Sequence, residues 1–390
     1  MALTVPKVVL ILLSLAGFWT LWGFPYQNGL LKILGQQSEP GAVIPGPTSA
    51  PMKQTYTGIG PIDKQLTVLV SFFYTAIDGN RADVSLSFLY LGGQVLAAWV
   101  LVMVEGLRNG NRGKLLLTAT TLLGVGVAIV GYACVAPLWF ALHLWMSPTV
   151  LKPKDYQLEV DAPIKIAIAP ISILVGFGLP SLLMCLPAPT VVSFETKQTW
   201  TGIQQGWSIW IGLTQSLLTI LAFAIDQRAS VLTENDKRLK SARYLRLAYA
   251  FAIISSAGSH LAALSLSTLA YLFPVLFSAT YLPQLQPARI FVPVVPFGQP
   301  QVKVLADGAL WFLQWDIVVG VSASLLWGLT VRDASKHGKA TVGQIFLGVI
   351  KTVLTAGLLG PCGAAAVAIW TRDELVLGRA NAEGKKDKSI

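Results

Sequence analysis

Nine apolar runs divide the chain and decide what it can fold into: Lys7 to Gly23, Leu66 to Ile77, Val84 to Val104, Leu115 to Val135, Ile166 to Leu186, Trp207 to Ile225, Leu247 to Leu266, Ala309 to Leu329 and Ile345 to Ile369. A helix needs roughly 20 apolar residues to cross hydrocarbon. Most of the runs qualify, and Leu66 to Ile77 does so only by borrowing Ile62 to Gln65. Charged residues make up 12% of the 390 positions and mean hydropathy is +0.61. Soluble domains carry about 25% charge, so that class is excluded. The expected fold is all-α, a polytopic integral membrane bundle of about eight to nine transmembrane helices. It forms one domain over 1–390, with proline-rich extramembrane loops at 24–61 and 283–308 and a polar tail at 371–390.

The first run has one lysine in front of it and ends in Trp19 and Trp22 without a small-x-small cleavage signature, which predicts a retained span. Cys134, Cys185 and Cys362 lie far apart in apolar sequence and read as small core hydrophobes. The net charge of +10 is spread over loops and tail. It points to anionic lipid headgroups as partners, with no nucleic acid. Pro137 is expected to break the fourth run ahead of an aromatic band, Trp139, Phe140, His143 and Trp145, at headgroup level. Gly202-x-x-x-Gly206 is a weak helix-packing signature. The segment Asp226 to Arg246 reads as a solvated helical loop, and Pro274 should end the long apolar stretch after it.

One crossing per run places Asp78 to Asp83, Lys152 to Asp161, Asp226 to Arg246 and Arg332 to Lys339 on one side, with Glu105 to Lys114 and the tail opposite. The positive-inside rule objects, because Arg108, Arg112 and Lys114 should share the side of the other basic loops. One re-entrant run resolves the conflict, and the shortest, Leu66 to Ile77, is the first suspect.

Acids are costly inside a membrane, so they tend to be paired, protonated or functional. Asp316 is the deepest, about two turns beyond the membrane edge. Desolvation there favours a neutral acid, a proton donor. Asp78 and Glu105 flank the third run at a separation of about 30 Å, so they cannot share one substrate atom. Gln94 and Glu105, close to three turns apart, fall on one helix face, with Gln94 at depth and Glu105 at the mouth of any pocket there. Simpler roles stand beside these: Glu105 with Arg108 as an interfacial ion pair, Asp78 before Gly79 as a turn residue, and Asp226 with Arg228 as a helix end. His143 and His260 fit interfacial or core positions, and no His/Cys/acid spacing marks a metal site. There is no P-loop, Gly-x-Ser-x-Gly, HExxH or aspartate-rich DDxxD stretch, which leaves neither nucleotide nor metal chemistry and no cofactor.

The pattern Pro61-Ile-Asp63, Leu69-Val-x-Phe72-Phe73, Asp78-Gly79, Ser85-Leu86, Gly93-Gln94 and Glu105-x-x-Arg108-x-Gly110-Asn111 resembles a family of fungal membrane proteins encoded with secondary-metabolite genes. That family includes the terpene cyclases of ascofuranone and ascochlorin biosynthesis and relatives in indole-diterpene pathways. Asp83 stands where the pattern has proline. The resemblance implies metal-independent cyclisation of a prenylated, meroterpenoid or terpenoid precursor in a multi-pass membrane protein of the endoplasmic reticulum, beside neighbouring pathway enzymes. An acid protonates an alkene or epoxide, and a proton is lost at the end. The expected catalytic residues are Asp316, Glu105, Asp78 and Asp226. Gln94, Phe72, Phe73, Trp99, Trp311 and Trp315 are expected to bind the substrate, aromatic faces stabilising the cation. A transporter of a hydrophobic metabolite and a non-catalytic scaffold are the rival functions.

Overall fold

The computed structural model describes residues 3–225, 233–298, 300–336 and 341–386. Among them the regular structure is helical, apart from one isolated bridge between Val43 and Pro51. The helices are α1 (Thr4–Gln27), α2 (Leu30–Gln36), α3 (Gly60–Ile77), α4 (Ala82–Leu107), α5 (Thr120–Val130), α6 (Tyr132–Met146) and α7 (Ile164–Met184). They continue as α8 (Phe194–Gln205), α9 (Trp207–Ile225), α10 (Glu234–Leu272), α11 (Leu305–Ala334), α12 (Val342–Leu359) and α13 (Pro361–Lys386). Seven of the described helices are long and apolar enough to cross a membrane: α1, α4, α7, α9, α10, α11 and α12. Within its most apolar window α4 is 72% buried and α12 is not buried at all, so α4 is the bundle's axis and α12 its outermost helix.

Two runs expected as single spans are broken, both at glycine. Gly131 has φ +106°, a conformation that side chains with a Cβ rarely adopt, and it separates α5 from α6. Gly360, at φ +75°, followed by Pro361, separates α12 from α13. Pro137 lies inside α6 and does not break it. Its missing N–H cannot bond the Ala133 carbonyl one turn back, and α1 approaches that carbonyl at Gly17, a position with no room for a Cβ.

The α5–α6 pair enters the bundle and returns to the same end. Ser147, just after α6, donates to Asn111 Oδ1 at 2.6 Å, and Asn111 lies only four residues before the turn that leads into α5. The re-entrant segment is therefore Leu115–Met146, and Leu66–Ile77 belongs to the continuous helix α3. This removes the conflict over charge. Asn109 N–H donates to the Glu159 carbonyl at 2.9 Å, Arg112 pairs with Asp161, Arg238 with Glu159, and Arg246 with Glu374, so the basic loops expected on opposite sides share one end. The opposite end holds Arg81, Asp83, Arg289 and Asp307 in one ion-pair network and the pair Lys53–Glu195.

Other segments depart from expectation because packing recruits them. The segment 24–61 includes α2 and the end of α1, held by buried Phe24, Leu30 and Leu34, and α11 starts at Leu305, inside the 283–308 segment. Arg372 and Asp373, near the start of the expected tail, are both buried. Trp139, Phe140 and His143 are buried rather than interfacial, while Trp145 is exposed. Cys134 and Cys362 are buried, whereas Cys185, at the end of α7, is exposed. Helix α10 runs unbroken to Leu272, just before Pro274, and includes the described part of the expected solvated loop.

Candidate active site

A cavity of about 290 Å³ lies between α1, α3, α4, the α5–α6 tip, α8–α9 and α11. Two of the three π-helical turns among the described residues supply lining side chains, and the third begins beside a lining residue. Trp19–Gly23 presents Leu21 and Trp22, Leu174–Gly178 presents Phe177, and Ile317–Val321 follows directly on Asp316. Such turns let a helix re-aim a side chain without ending, and they concentrate at functional sites.

Asp316 is 6% exposed and lines the cavity. Its Oδ1 accepts the Ala133 N–H at 2.6 Å. Ala133 is in the first turn of α6, so the carboxyl faces the N-terminus of a half-helix whose amides have no helical partners. Two opposing effects meet on this group. Burial in apolar surroundings opposes its charged form, and the helix N-terminus with its donated N–H stabilises the anion once a proton has left. Discontinuous helices that aim their ends at a site in mid-bundle are the membrane form of this device. Gly131 is indispensable to it, since a Cβ there would also lie 2.5 Å from Leu21 Cδ1.

Aromatic side chains line much of the same cavity. Phe72 packs edge-on against Phe73 at 5.0 Å and Phe312 at 5.1 Å, and Phe73 lies 5.3 Å from Phe88. Phe177 meets Trp207 at 5.7 Å. Phe72 and Phe73 both line the cavity. Phe312, Phe88, Phe177 and Trp207 were not singled out as site residues, although Phe312 lies one turn before Asp316 and so shares its face. Trp311 and Trp315 lie one residue off that face, rotated by about 100°. Trp311 stacks on Phe24, and Trp315 donates to the Val294 carbonyl. Trp99 stands behind the wall, edge-on to Trp207 at 4.7 Å.

The structure takes Glu105 and Gln94 out of the cavity. Both are fully buried against α10 and α13, with every polar group engaged. Gln94 donates to the Ser256 carbonyl at 3.0 Å and accepts from Ser256 Oγ and the Cys362 N–H. Glu105 pairs with Arg372 and Arg108 and accepts from Thr149 Oγ1 at 2.9 Å. Trp327 Nε1–H donates to His143 Nδ1 at 3.1 Å, so a neutral His143 carries its proton on Nε2 and donates it to Glu105 Oε2. Asp373, bound by Arg108, Arg372 and Tyr249 Oη, completes a cluster of two carboxylates and two guanidiniums. Glu105 followed by Arg108 was legible as an ion pair, but Arg372, some 260 positions later, was not. Asp78 accepts from Asn80 N–H and Asn80 Nδ2 at 2.9 Å each, a turn cap away from the cavity. Asp226 lies outside the described residues.

Terpene cyclase ctvD of Aspergillus terreus is 28% identical over 371 residues, covering 94% of this chain and 98% of its own length. Terpene cyclase ascI of Acremonium egyptiacum is 29% identical over 387 residues, with coverage of 97% and 94%. Terpene cyclase janA of Penicillium janthinellum is 28% identical over 360 residues, covering 91% of each chain. No solved structure matches. The match to the CtvD domain extends over residues 6–377, from the first helix through the buried Arg372–Asp373 pair, and the chain therefore belongs to the CtvD domain family.

Proposed function

We propose that the chain is a membrane-bound terpene cyclase that protonates an epoxide or alkene of a prenylated precursor and closes rings from the resulting cation, in the endoplasmic reticulum membrane. The observation that carries this reading is Asp316, set against the α6 N-terminus inside an apolar, aromatic cavity. The neutral carboxylic acid gives its proton to the epoxide oxygen, and the C–O bond breaks to a hydroxyl and a carbocation. Alkenes of the folded chain attack in turn. Phe72, Phe312 and Trp207 face the migrating charge with their ring quadrupoles, and the apolar wall excludes water that would quench it.

The closing deprotonation returns a proton to the Asp316 carboxylate, the only carboxylate lining the cavity among the described residues. The reaction is then an isomerisation that restores its own acid. The named activity of the relatives supports the reading. So does the donor set, because a single carboxylate is a poor match to a diphosphate-bound magnesium cluster.

Microsomes containing the protein, given an epoxyfarnesyl aromatic precursor, test it. Wild type should yield cyclised product, and Asp316→Asn should lose at least about a hundredfold in turnover at unchanged protein level. Wild-type turnover by Asp316→Asn refutes the assignment. Unchanged precursor with protein-dependent flux across the vesicle membrane identifies a transporter instead.

A further inference from the structure

Asp316 is not the only tie between α6 and α11. Tyr132, the residue before Ala133, reaches the same helix at Ser324: its Oη lies 2.5 Å from Ser324 Oγ, and both side chains are buried. Ser324 Oγ–H is already given to the Gly320 carbonyl at 2.9 Å, so the Tyr132 hydroxyl is the donor of the pair. Between the two ties the Tyr132 ring lies on Gly320, where a Cβ would come within 2.3 Å of ring Cδ1. Tyr132 lines the cavity and Ser324 does not.

The eight steps of regular α-helix from residue 316 to residue 324 would turn through about 800° and leave Ser324 about 80° around α11 from Asp316. The π-helical turn Ile317–Val321 lies between them, and such a turn takes in one residue more than an α-helical turn. Counting that residue out leaves about 700°, which brings the two side chains to within about 20° of one face. Only then can Tyr132 and Ala133, neighbours at the start of one half-helix, be held at once by two residues of α11. Gly320, inside the π-helical turn, leaves the room that the ring takes up. Cys362, whose N–H is held by Gln94 Oε1 at 3.1 Å, stands beside both hydroxyls and backs the pair from α13.

Resting on the cyclase reading, we propose that Tyr132 and Ser324 are positioning residues for Asp316: with the π-helical turn they form a second tie that sets the α6 N-terminus in register with α11 and keeps the Ala133 N–H aimed at the carboxyl. The aim matters once the proton has left. The N–H then stabilises a carboxylate that develops in the transition state and is absent from the bound ground state, so a lost aim raises the barrier and leaves substrate affinity alone. A hydroxyl pair that only filled space would show no such division.

The test measures kcat and KM for the epoxyfarnesyl aromatic precursor, per folded molecule, with Tyr132→Phe, Ser324→Ala and the two combined. Each single change should lower kcat about tenfold, equal to about 1.4 kcal/mol in the barrier, with KM unmoved. The combined change should fall no further than the worse single one, because both remove the same bond. Wild-type kcat in both single variants, a rise in KM at unchanged kcat, or losses that multiply in the combined variant overturn the proposal and leave Asp316 as the acid. Amide exchange at 132–134 in nanodiscs reads the tie without catalysis, and Ser324→Ala should speed it about tenfold. Unchanged exchange overturns the tie whether or not the precursor is cyclised. Faster exchange, in a protein whose wild type cyclises nothing, removes the cyclase reading and leaves the tie standing.

Discussion

Replacing Glu105 with glutamine should cost stability and leave the chemistry alone. Glu105, Asp373, Arg108 and Arg372 sum to zero charge, with His143 neutral, and all are buried. Glu105→Gln leaves that cluster with one uncompensated positive charge, and its amide N–H₂ faces guanidinium groups that have nothing to accept it. Removing one partner of a buried pair costs about 3–5 kcal/mol, a large part of the roughly 5–15 kcal/mol that holds a typical domain together. Removing Arg372 as well, as Glu105→Gln/Arg372→Gln, restores neutrality and should recover about 1–3 kcal/mol relative to the sum of the single changes. Thermal unfolding in nanodiscs followed by size exclusion measures the loss, and turnover per folded molecule measures the chemistry. Glu105→Gln protein with the wild-type unfolding temperature and no turnover would refute this account and return Glu105 to the reacting atoms.

Phe312→Leu keeps the cavity apolar and removes one ring beside Asp316. Loss of about 0.5–2 kcal/mol of cation stabilisation should slow cyclisation about 2- to 30-fold and raise the share of prematurely deprotonated, less cyclised products, read by mass-resolved chromatography. The Glu195 carboxyl is held below the usual carboxylate range by the Lys53 ammonium. A depressed folded value means that this tie between the 37–59 loop and α8 is complete above the unfolded value of about 4.3 and is lost as pH falls through the folded one. Amide exchange at 53–58, referenced to Glu195→Gln, should therefore be slower in wild type at neutral pH and equal in the two proteins once Glu195 is protonated. No difference between the two proteins at neutral pH would count against the tie.

The sequence by itself determined that this is an all-α membrane chain, because runs of roughly 20 apolar residues with so little charge have no other stable form. It also singled out Asp316 for its depth, and Phe72 and Phe73 for their place in the resemblance, all of which the fold brings to one cavity. Only the tertiary structure decided the rest. A hydropathy run records how much apolar surface is present, and it is silent on direction, so the reversal at Gly131 was invisible until its φ of +106° was known. That reversal turns an expected crossing into a re-entrant pair, brings the basic loops to one end, and aims a helix N-terminus at Asp316. Periodicity placed Gln94 and Glu105 on one face of α4 but could not say what faces them. The answer is α10 and α13, which face that side with Ser256, Cys362, Arg372 and Asp373. Partners more than 200 positions apart are set by packing alone, which is why Glu105 lies in a buried ion-pair cluster with Arg372 while Asp316 faces the cavity.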